Sequence, residues 1–248
     1  MVIKDSGVFF VEIYVGMAKV VAWWHQYALG FKLKGTREFK GLFGNQITYW
    51  LQNGKANILL TAALDPSAHD IVSFVDSHGN SIKRFAVEVE DVNDTLNFLR
   101  TKNAIFLHNG IESVTENDEK AELIRCKLFD DNEIVFIKRT NCTSILPGFQ
   151  ITNDEDLNNG ILGIDHLASV VRFNESSFWN DYISSLLSLD QTQTIGEEFF
   201  ENHSIGMKMH VLNCRKTKIN KVISEPLPQK KKKSQVDVFL DHHFGNGI

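Results

Sequence analysis

Cysteine is scarce in this sequence, and its three cysteines, Cys126, Cys142 and Cys214, are widely spaced. An odd number without a Cys-x-x-Cys pair fits neither a disulfide framework nor a zinc knuckle, so a reducing compartment is expected. Long apolar runs are lacking too, because no segment approaches the roughly 18 apolar residues of a membrane helix. The opening residues, MVIKDSGVFFVEIYV, are too interrupted for a signal peptide. We therefore expect a cytoplasmic protein without a membrane partner.

The sequence also lacks a surplus of positive charge. Lys and Arg number 26 against 31 Asp and Glu, which gives a net charge of -5. A surface that binds phosphates needs a cationic excess, so nucleic acid is not expected as a partner. Hydrophobic residues make up 43% of the 248 residues and charged residues 23%. This composition is typical of an ordinary globular protein that can bury a core.

The pattern of apolar residues predicts a repeated order of one strand, one helix and three strands. Strands are predicted at 9–15, 46–51, 56–61, 83–89, near Ile105, at 121–128, 133–138, 163–171, near Phe199, at 207–212 and at 219–223, and helices at 18–29, 92–101 and 176–186. The β-α-β-β-β unit thus occurs about two and a half times. The fold class predicted is α+β, built from tandem β-α-β-β-β modules.

Residues 141–160 interrupt this periodicity, with Pro147-Gly148 as a break. We predict an N-terminal domain of two modules over residues 1–140, a linker over 141–160, and a partial C-terminal domain with its first module only over 161–248.

Two stretches of the chain repeat one another in three features. Each has a Pro preceded closely by an acidic residue, then an apolar-x-x-Phe-apolar-Asp helix end, then a turn with His and Gly-Asn. The first copy runs from residue 63 to 82 and the second from 224 to 248. In the first copy a module-opening strand follows Ile82, whereas Ile248 is the last residue. We therefore expect a carboxy-terminal truncation, with the last module missing.

Alignment of the module-opening strands puts Glu12 of the first half against His166 of the second half. A single strand histidine is more often a hydrogen-bonded structural residue than a metal ligand. By the same reasoning, Met209 on an alternating strand would usually fill a core. Gln235 could simply cap or flank the helix that starts near Val236.

Four motifs, in order along the chain, carry a resemblance to a known family. They are His78-Gly79-Asn80-Ser81-Ile82, Leu146-Pro147-Gly148-Phe149, Gly163-Ile164-Asp165-His166 and Phe244-Gly245-Asn246-Gly247-Ile248. With further matches from about Val11 onward, the chain resembles the 4-hydroxyphenylpyruvate dioxygenases and 4-hydroxymandelate synthases. This family has the vicinal oxygen chelate fold, which is also called glyoxalase/bleomycin resistance-like.

The resemblance implies a structural N-terminal domain and a catalytic C-terminal domain that holds Fe(II). Family members bind ferrous iron through two histidines and one glutamate, and leave positions for a 2-oxoacid substrate and O2. His166 would be the first ligand, and the other two would lie beyond Ile248. Gln235, Ser224 and Met209 would line the substrate site. We also expect the longer parent to be a homo-oligomer.

Three functions stay open at this point. The dioxygenase would give homogentisate, and the synthase would give 4-hydroxymandelate from the same substrate. Ser224 stands where the dioxygenases usually have Asn and the synthases an apolar residue, and Met209 stands where both usually have Ser, so the product is not decided. The third function is a non-catalytic binding or dimerising fragment. Because one imidazole cannot hold ferrous iron, we expect no turnover from the chain as given.

Overall fold

The computed structural model describes residues 1–4, 7–40, 44–152, 160–196, 206–227 and 232–248. Within these ranges, 13 strands form a nine-stranded sheet and a four-stranded sheet, and five helices connect or cover the strands. None of the helices in the described ranges is long and apolar enough to cross a membrane.

The first module has the order of one strand, one helix and three strands, and two of those three strands were predicted individually. It consists of β1 (Phe10–Tyr14), α1 (Ala18–Leu29), β2 (Lys32–Phe39), β3 (Gln46–Asn53) and β4 (Ala56–Ala63). α1 ends at Gly30, whose φ of 67° is a left-handed conformation that glycine adopts without a steric penalty. β1 runs parallel to β4, and the other neighbours are antiparallel. The strand order across the module is therefore β1-β4-β3-β2.

The second module follows a short helix, α2 (His69–His78). It consists of β5 (Ser81–Glu88), α3 (Val92–Thr101), β6 (Glu112–Glu116), β7 (Glu119–Lys127) and β8 (Glu133–Thr140). β1 pairs with β5 in antiparallel fashion, and this pairing joins the two modules into one sheet. With β9 (Gln150–Ile151) at the far edge, the order is β6-β7-β8-β5-β1-β4-β3-β2-β9.

The third module forms the four-stranded sheet. It consists of β10 (Leu167–Val170), α4 (Ser176–Leu187), β11 (Asp190–Ile195), β12 (Met207–Cys214) and β13 (Ile219–Pro226), and α5 (Gln235–His243) follows it. The order β10-β13-β12-β11 repeats that of the first module. The described chain thus contains three modules of this order.

One apolar cluster joins the two sheets. From the second module it includes Phe85, Leu99 and Phe136, and from the third it includes Ile183 and Leu212. Burial of this surface is the main force that holds the third module against the nine-stranded sheet. The domain boundaries at residues 140 and 160 stay a prediction.

Tertiary pairing produces several differences from the sequence-based expectations. β2 was not predicted, because its sequence KLKGTREF is mostly polar. Gly35 within β2 lies so close to β9 that a Cβ atom would come 2.7 Å from the carbonyl oxygen of Gln150, which only glycine tolerates. The strand expected near Ile105 is replaced by β6 and by an isolated bridge from Phe106 to Cys126. The strand expected near Phe199 lies outside the described residues.

Candidate functional site

His166 lies immediately before β10, with 53% of its side chain exposed. Its Nδ1 atom lies 2.8 Å from Oδ2 of Asp165. Because a carboxylate can only accept, Nδ1 carries the hydrogen of this bond, and Nε2 is the ring nitrogen left to face a ligand. Metal-binding histidines are commonly oriented by a carboxylate on the other ring nitrogen. His166 can therefore offer one nitrogen ligand through Nε2.

Two of the predicted substrate residues lie side by side in the third module. Met209 of β12 and Ser224 of β13 are in direct register, and Val170 of β10 lies opposite Ser224 on its other side. Side chains alternate along a strand, so His166 falls on the same face of the sheet as these residues. We call this the distal face, because α4 packs on the other one.

The distal face does not bring these residues into contact. Four residues along β10 separate His166 from the level of Ser224, a distance of about 13 Å. None of the described hydrogen bonds joins His166 to Met209 or Ser224. The sheet thus places the predicted metal ligand at one end of a shared face and the predicted substrate residues at the other.

Gln235 is the first residue of α5, and its side chain is exposed. Ser234 caps this helix: its hydroxyl accepts from the amide of Asp237, whose carboxylate accepts from the amide of Ser234 in return. This reciprocal arrangement is a capping box. Gln235 therefore flanks the helix start without capping it. Its predicted role in substrate binding stays a prediction.

The residues present do not form a metal site on their own. Among the described residues, no three side chains of His, Cys, Asp or Glu come together to hold an ion. His166 is one of the three ligands that the facial triad requires. No chemical step through iron can therefore be derived from the part of the chain that the structure describes.

A set of polar side chains lies on the opposite face of the third module, beneath α4. Glu225 accepts from the backbone amide of Ser176 at the start of α4, with 3.0 Å between the two atoms. The same carboxylate pairs with Lys208 at 3.4 Å. Nε2 of His210 lies 3.2 Å from the hydroxyl of Ser176. Burial is the main cause that lowers the pKa of His210. These contacts complete the hydrogen bonds of the helix terminus, so we interpret them as structural.

A second polar cluster, which was not expected from the sequence, lies on one face of the nine-stranded sheet. Seven strands contribute one side chain each, and we call this cluster the inner ring. Its members are Glu12, Thr48, Thr61, Arg84, Glu112, Arg125 and Glu133.

Consecutive members of the inner ring contact one another across the strands. Thr48 and Thr61 are 2.9 Å apart, and the hydroxyl of Thr61 donates to Glu12 at 2.6 Å. Arg84 lies between Glu12 at 3.0 Å and Glu133 at 3.1 Å. Arg125 lies between Glu133 at 3.7 Å and Glu112 at 2.8 Å. Each carboxylate of the inner ring is thus paired, including the buried Glu133, as burial of charge requires.

The inner ring shows how the first module differs from the third. Glu12 occupies the position that aligns with His166, but Arg84 neutralises it. The carboxylate is therefore not free to bind a cation. The available signal was a charged residue in the middle of an apolar strand, as in FFVEIYV, since such a residue needs a partner on a neighbouring strand.

Comparison with known proteins supports the resemblance. No model of a known protein family matches the chain. The chain is 24% identical over 265 residues to 4-hydroxyphenylpyruvate dioxygenase of Arabidopsis thaliana, which covers 96% of this chain and 58% of the relative. It is 22% identical to the enzyme of Caenorhabditis elegans, over 96% of this chain and 62% of the relative. The chain thus spans about three fifths of the length of the curated relatives that it matches.

Solved structures share the fold. A triple mutant of 4-hydroxymandelate synthase from Streptomyces coelicolor superposes with a TM-score of 0.80 at 18% identity, over 100% of this chain and 69% of that one. A xylose isomerase-like TIM barrel/4-hydroxyphenylpyruvate dioxygenase fusion protein gives 0.68, over 100% of this chain and 36% of that one. The resemblance to this family and the α+β fold of β-α-β-β-β modules are therefore confirmed.

Proposed function

We propose that this chain, a relative of the 4-hydroxyphenylpyruvate dioxygenases and 4-hydroxymandelate synthases, is part of an Fe(II)-dependent oxygenase of 4-hydroxyphenylpyruvate. The product would be homogentisate, formed with O2 as the second substrate. The observation that carries the proposal is His166, whose Nδ1 is held by Asp165 while Nε2 stays available on the distal face. The sequence similarity over 96% of the chain supports it.

In this proposal the distal face of the third module becomes one wall of the active site. His166 would supply one of three iron ligands, and Ser224, Met209 and Gln235 would contact the substrate. The thioether of Met209 cannot replace the hydrogen bonds of a hydroxyl, so its neighbours would orient the polar groups of the substrate. The nine-stranded sheet would have a structural role, consistent with the neutralised Glu12.

We further propose that the 248 residues alone have no turnover. One imidazole binds ferrous iron weakly, because Fe(II) stands low in the divalent affinity series. Purified chain would be loaded with Fe(II) anaerobically, desalted and analysed for iron, and then assayed for O2 uptake with 4-hydroxyphenylpyruvate. We expect substoichiometric iron and no steady uptake. Stoichiometric iron with turnover would contradict this part of the proposal.

The oxygenase itself is tested on a longer parent protein. The coding DNA beyond the codon of Ile248 should continue with Gln-His and later encode a Glu on a strand. In that parent, His166→Ala should abolish turnover and iron retention. His242→Ala, which replaces an exposed histidine of α5, is the matched control and should preserve both. Equal loss in the two variants, or full activity of His166→Ala, would refute the assignment of His166.

4-Hydroxymandelate synthase activity is the alternative within the same family. The segments 11–15 and 162–166 resemble the synthase more closely, whereas Ser234-Gln235 resembles the dioxygenase. Chromatographic analysis of the parent's product distinguishes the two, because homogentisate and 4-hydroxymandelate carry the new hydroxyl groups on the ring and on the benzylic carbon respectively.

A non-catalytic binding or dimerising role is the alternative outside the enzymes. The observation that favours it is the exposure on the distal face, where Ala168 and His166 are open to solvent. Analytical ultracentrifugation of the metal-free chain tests this role. A stable dimer without turnover would favour it, and a monomer would count against it.

A further inference from the structure

The nine-stranded sheet contains an arginine that forms no ion pair with a carboxylate in the described part of the chain. Arg37 lies on β2, next to Thr48 in the register. Its Nη1 donates to the carbonyl oxygen of Pro147 at 3.1 Å, and its guanidinium lies 5.7 Å from the centre of the Phe149 ring. In the described ranges, no carboxylate oxygen lies within 4.0 Å of this guanidinium. A half-buried guanidinium of this kind is a candidate to bind an anion.

Two carboxylates act on Arg37 without forming an ion pair with it. Glu12 and Glu116 both raise its pKa, but Glu12 is already paired with Arg84. The N–H donors of Arg37 that do not contact Pro147 are therefore the groups that a small anion could use.

A cavity of about 180 Å³ opens beside Arg37. Its polar lining consists of three arginines, two carboxylates and three uncharged side chains: Arg37, Arg84, Arg125, Glu12, Glu112, Tyr14, Gln46 and Thr48. Its apolar lining is Phe10, Leu59, Val114, Leu123, Val135, Leu146 and Phe149. The volume corresponds to about six molecules of liquid water. It would hold a small organic molecule with one polar end and one apolar or aromatic body.

We propose that this cavity, which we call the Arg37 pocket, binds a small monocarboxylate with a short apolar or aromatic body. The carboxylate would pair with Arg37, because a planar guanidinium can donate two parallel hydrogen bonds to a carboxylate. The body would lie among the apolar residues, including Phe149. This site is separate from His166 and the distal face, and the inference does not depend on the function proposed above.

A purely structural role for Arg37 is the competing explanation. Its bond to Pro147 holds the segment after β8 against the sheet. That bond occupies one of five guanidinium N–H donors and neutralises no charge. Burial is the main cause that lowers the pKa of Arg37, and the carboxylates of Glu12 and Glu116 oppose this shift only in part.

Isothermal titration calorimetry of the full chain with benzoate tests the proposal. We expect a dissociation constant of about 1 mM or lower, as for a ligand of this size. Benzamide has the same shape without the charge and should bind at least about tenfold more weakly. Arg37→Gln should weaken benzoate binding by a similar factor, and Arg37→Lys should restore part of it.

Two further variants separate recognition from folding. Arg139 also stacks on a phenylalanine and donates to a backbone carbonyl, but it lies outside the Arg37 pocket and is paired with Glu88. Arg139→Gln should therefore leave benzoate affinity unchanged. Val114→Trp should fill the cavity and abolish binding while Arg37 is retained. Absence of benzoate binding, equal binding of benzamide, or full affinity in Val114→Trp would overturn the proposal.

Discussion

Lys221 lies in the middle of β13 with 1% of its surface exposed. Its Nζ donates to the hydroxyl of Ser169 at 2.5 Å and lies 5.6 Å and 5.4 Å from the ring centres of Phe85 and Phe129. No carboxylate lies within 4.0 Å of it in the described part of the chain. Burial lowers the pKa of Lys221 from 10.5 to about 7. The apolar cluster between the two sheets thus contains a cation without a counterion.

This burial weakens the fold at neutral and acidic pH. A pKa that is lower in the folded than in the unfolded state means that the unfolded state binds the proton more tightly. The penalty is therefore complete below pH 7 and disappears as the pH rises from about 7 to 10.5. The difference from 10.5 to about 7 corresponds to roughly 5 kcal/mol. The two aromatic rings offset about 2 kcal/mol of this through cation–π contacts.

We predict that Lys221→Met stabilises the protein. Loss of the partner of Ser169 costs about 1 kcal/mol, which leaves a net gain of about 2 kcal/mol at pH 6. Urea unfolding at pH 6, 8 and 10, monitored by circular dichroism, measures the difference in the free energy of unfolding between the variant and the wild type. The gain should shrink as the pH rises and be absent near pH 10. A variant that is less stable than the wild type at pH 6, or a gain independent of pH, would refute the reasoning.

Lys83→Met is the matched control for this experiment. Lys83 is also a buried lysine near two aromatic rings, but it pairs with Glu133 at 3.6 Å. Removal of this partner leaves part of a buried carboxylate uncompensated, so the control variant should be less stable than the wild type. Stability changes of opposite sign in Lys221→Met and Lys83→Met would show that the counterion decides whether a buried lysine destabilises the fold.

Two further predictions concern residues that the fold brings into play. Arg84→Met should destabilise the protein by about 3–5 kcal/mol in urea unfolding, because Glu12 and Glu133 would lose the charge between them. A loss of stability below about 1 kcal/mol would contradict the ion pairs of the inner ring. Ser234→Ala should lower stability by about 1 kcal/mol and reduce helical circular dichroism, because the capping box of α5 is lost. Ser234→Thr, which can still cap, should lie close to the wild type.

Local elements could be predicted because their determinants are close in sequence. α1 and α3 occupy Ala18–Leu29 and Val92–Thr101 as expected, since apolar spacing and a terminal residue such as Gly30 act within a few positions. The hairpin strands of the second and third modules were found for the same reason. The alignment of His166 with Glu12 also came from the sequence, but the strand predicted at 163–171 is shorter in the structure: β10 spans Leu167–Val170, and His166 lies just before it.

Features that depend on distant pairing could not be predicted. β2 is a strand because β3 on one side and β9 on the other satisfy its backbone, although its own residues are mostly polar. Arg37 and Pro147 are 110 positions apart, and only the sheet brings them together. The burial of Lys221 was likewise not evident, because a lysine in an alternating strand could equally have faced solvent.

The sequence by itself determined the order of the β-α-β-β-β modules, because hydrophobic periodicity and repeated motifs are local properties. The tertiary structure alone decided which polar side chains meet: Glu12 with Arg84, Arg37 with the cavity, and Lys221 with two aromatic rings. The physical reason is that burial and pairing of charge depend on strand order and register, which bring together residues from separate modules.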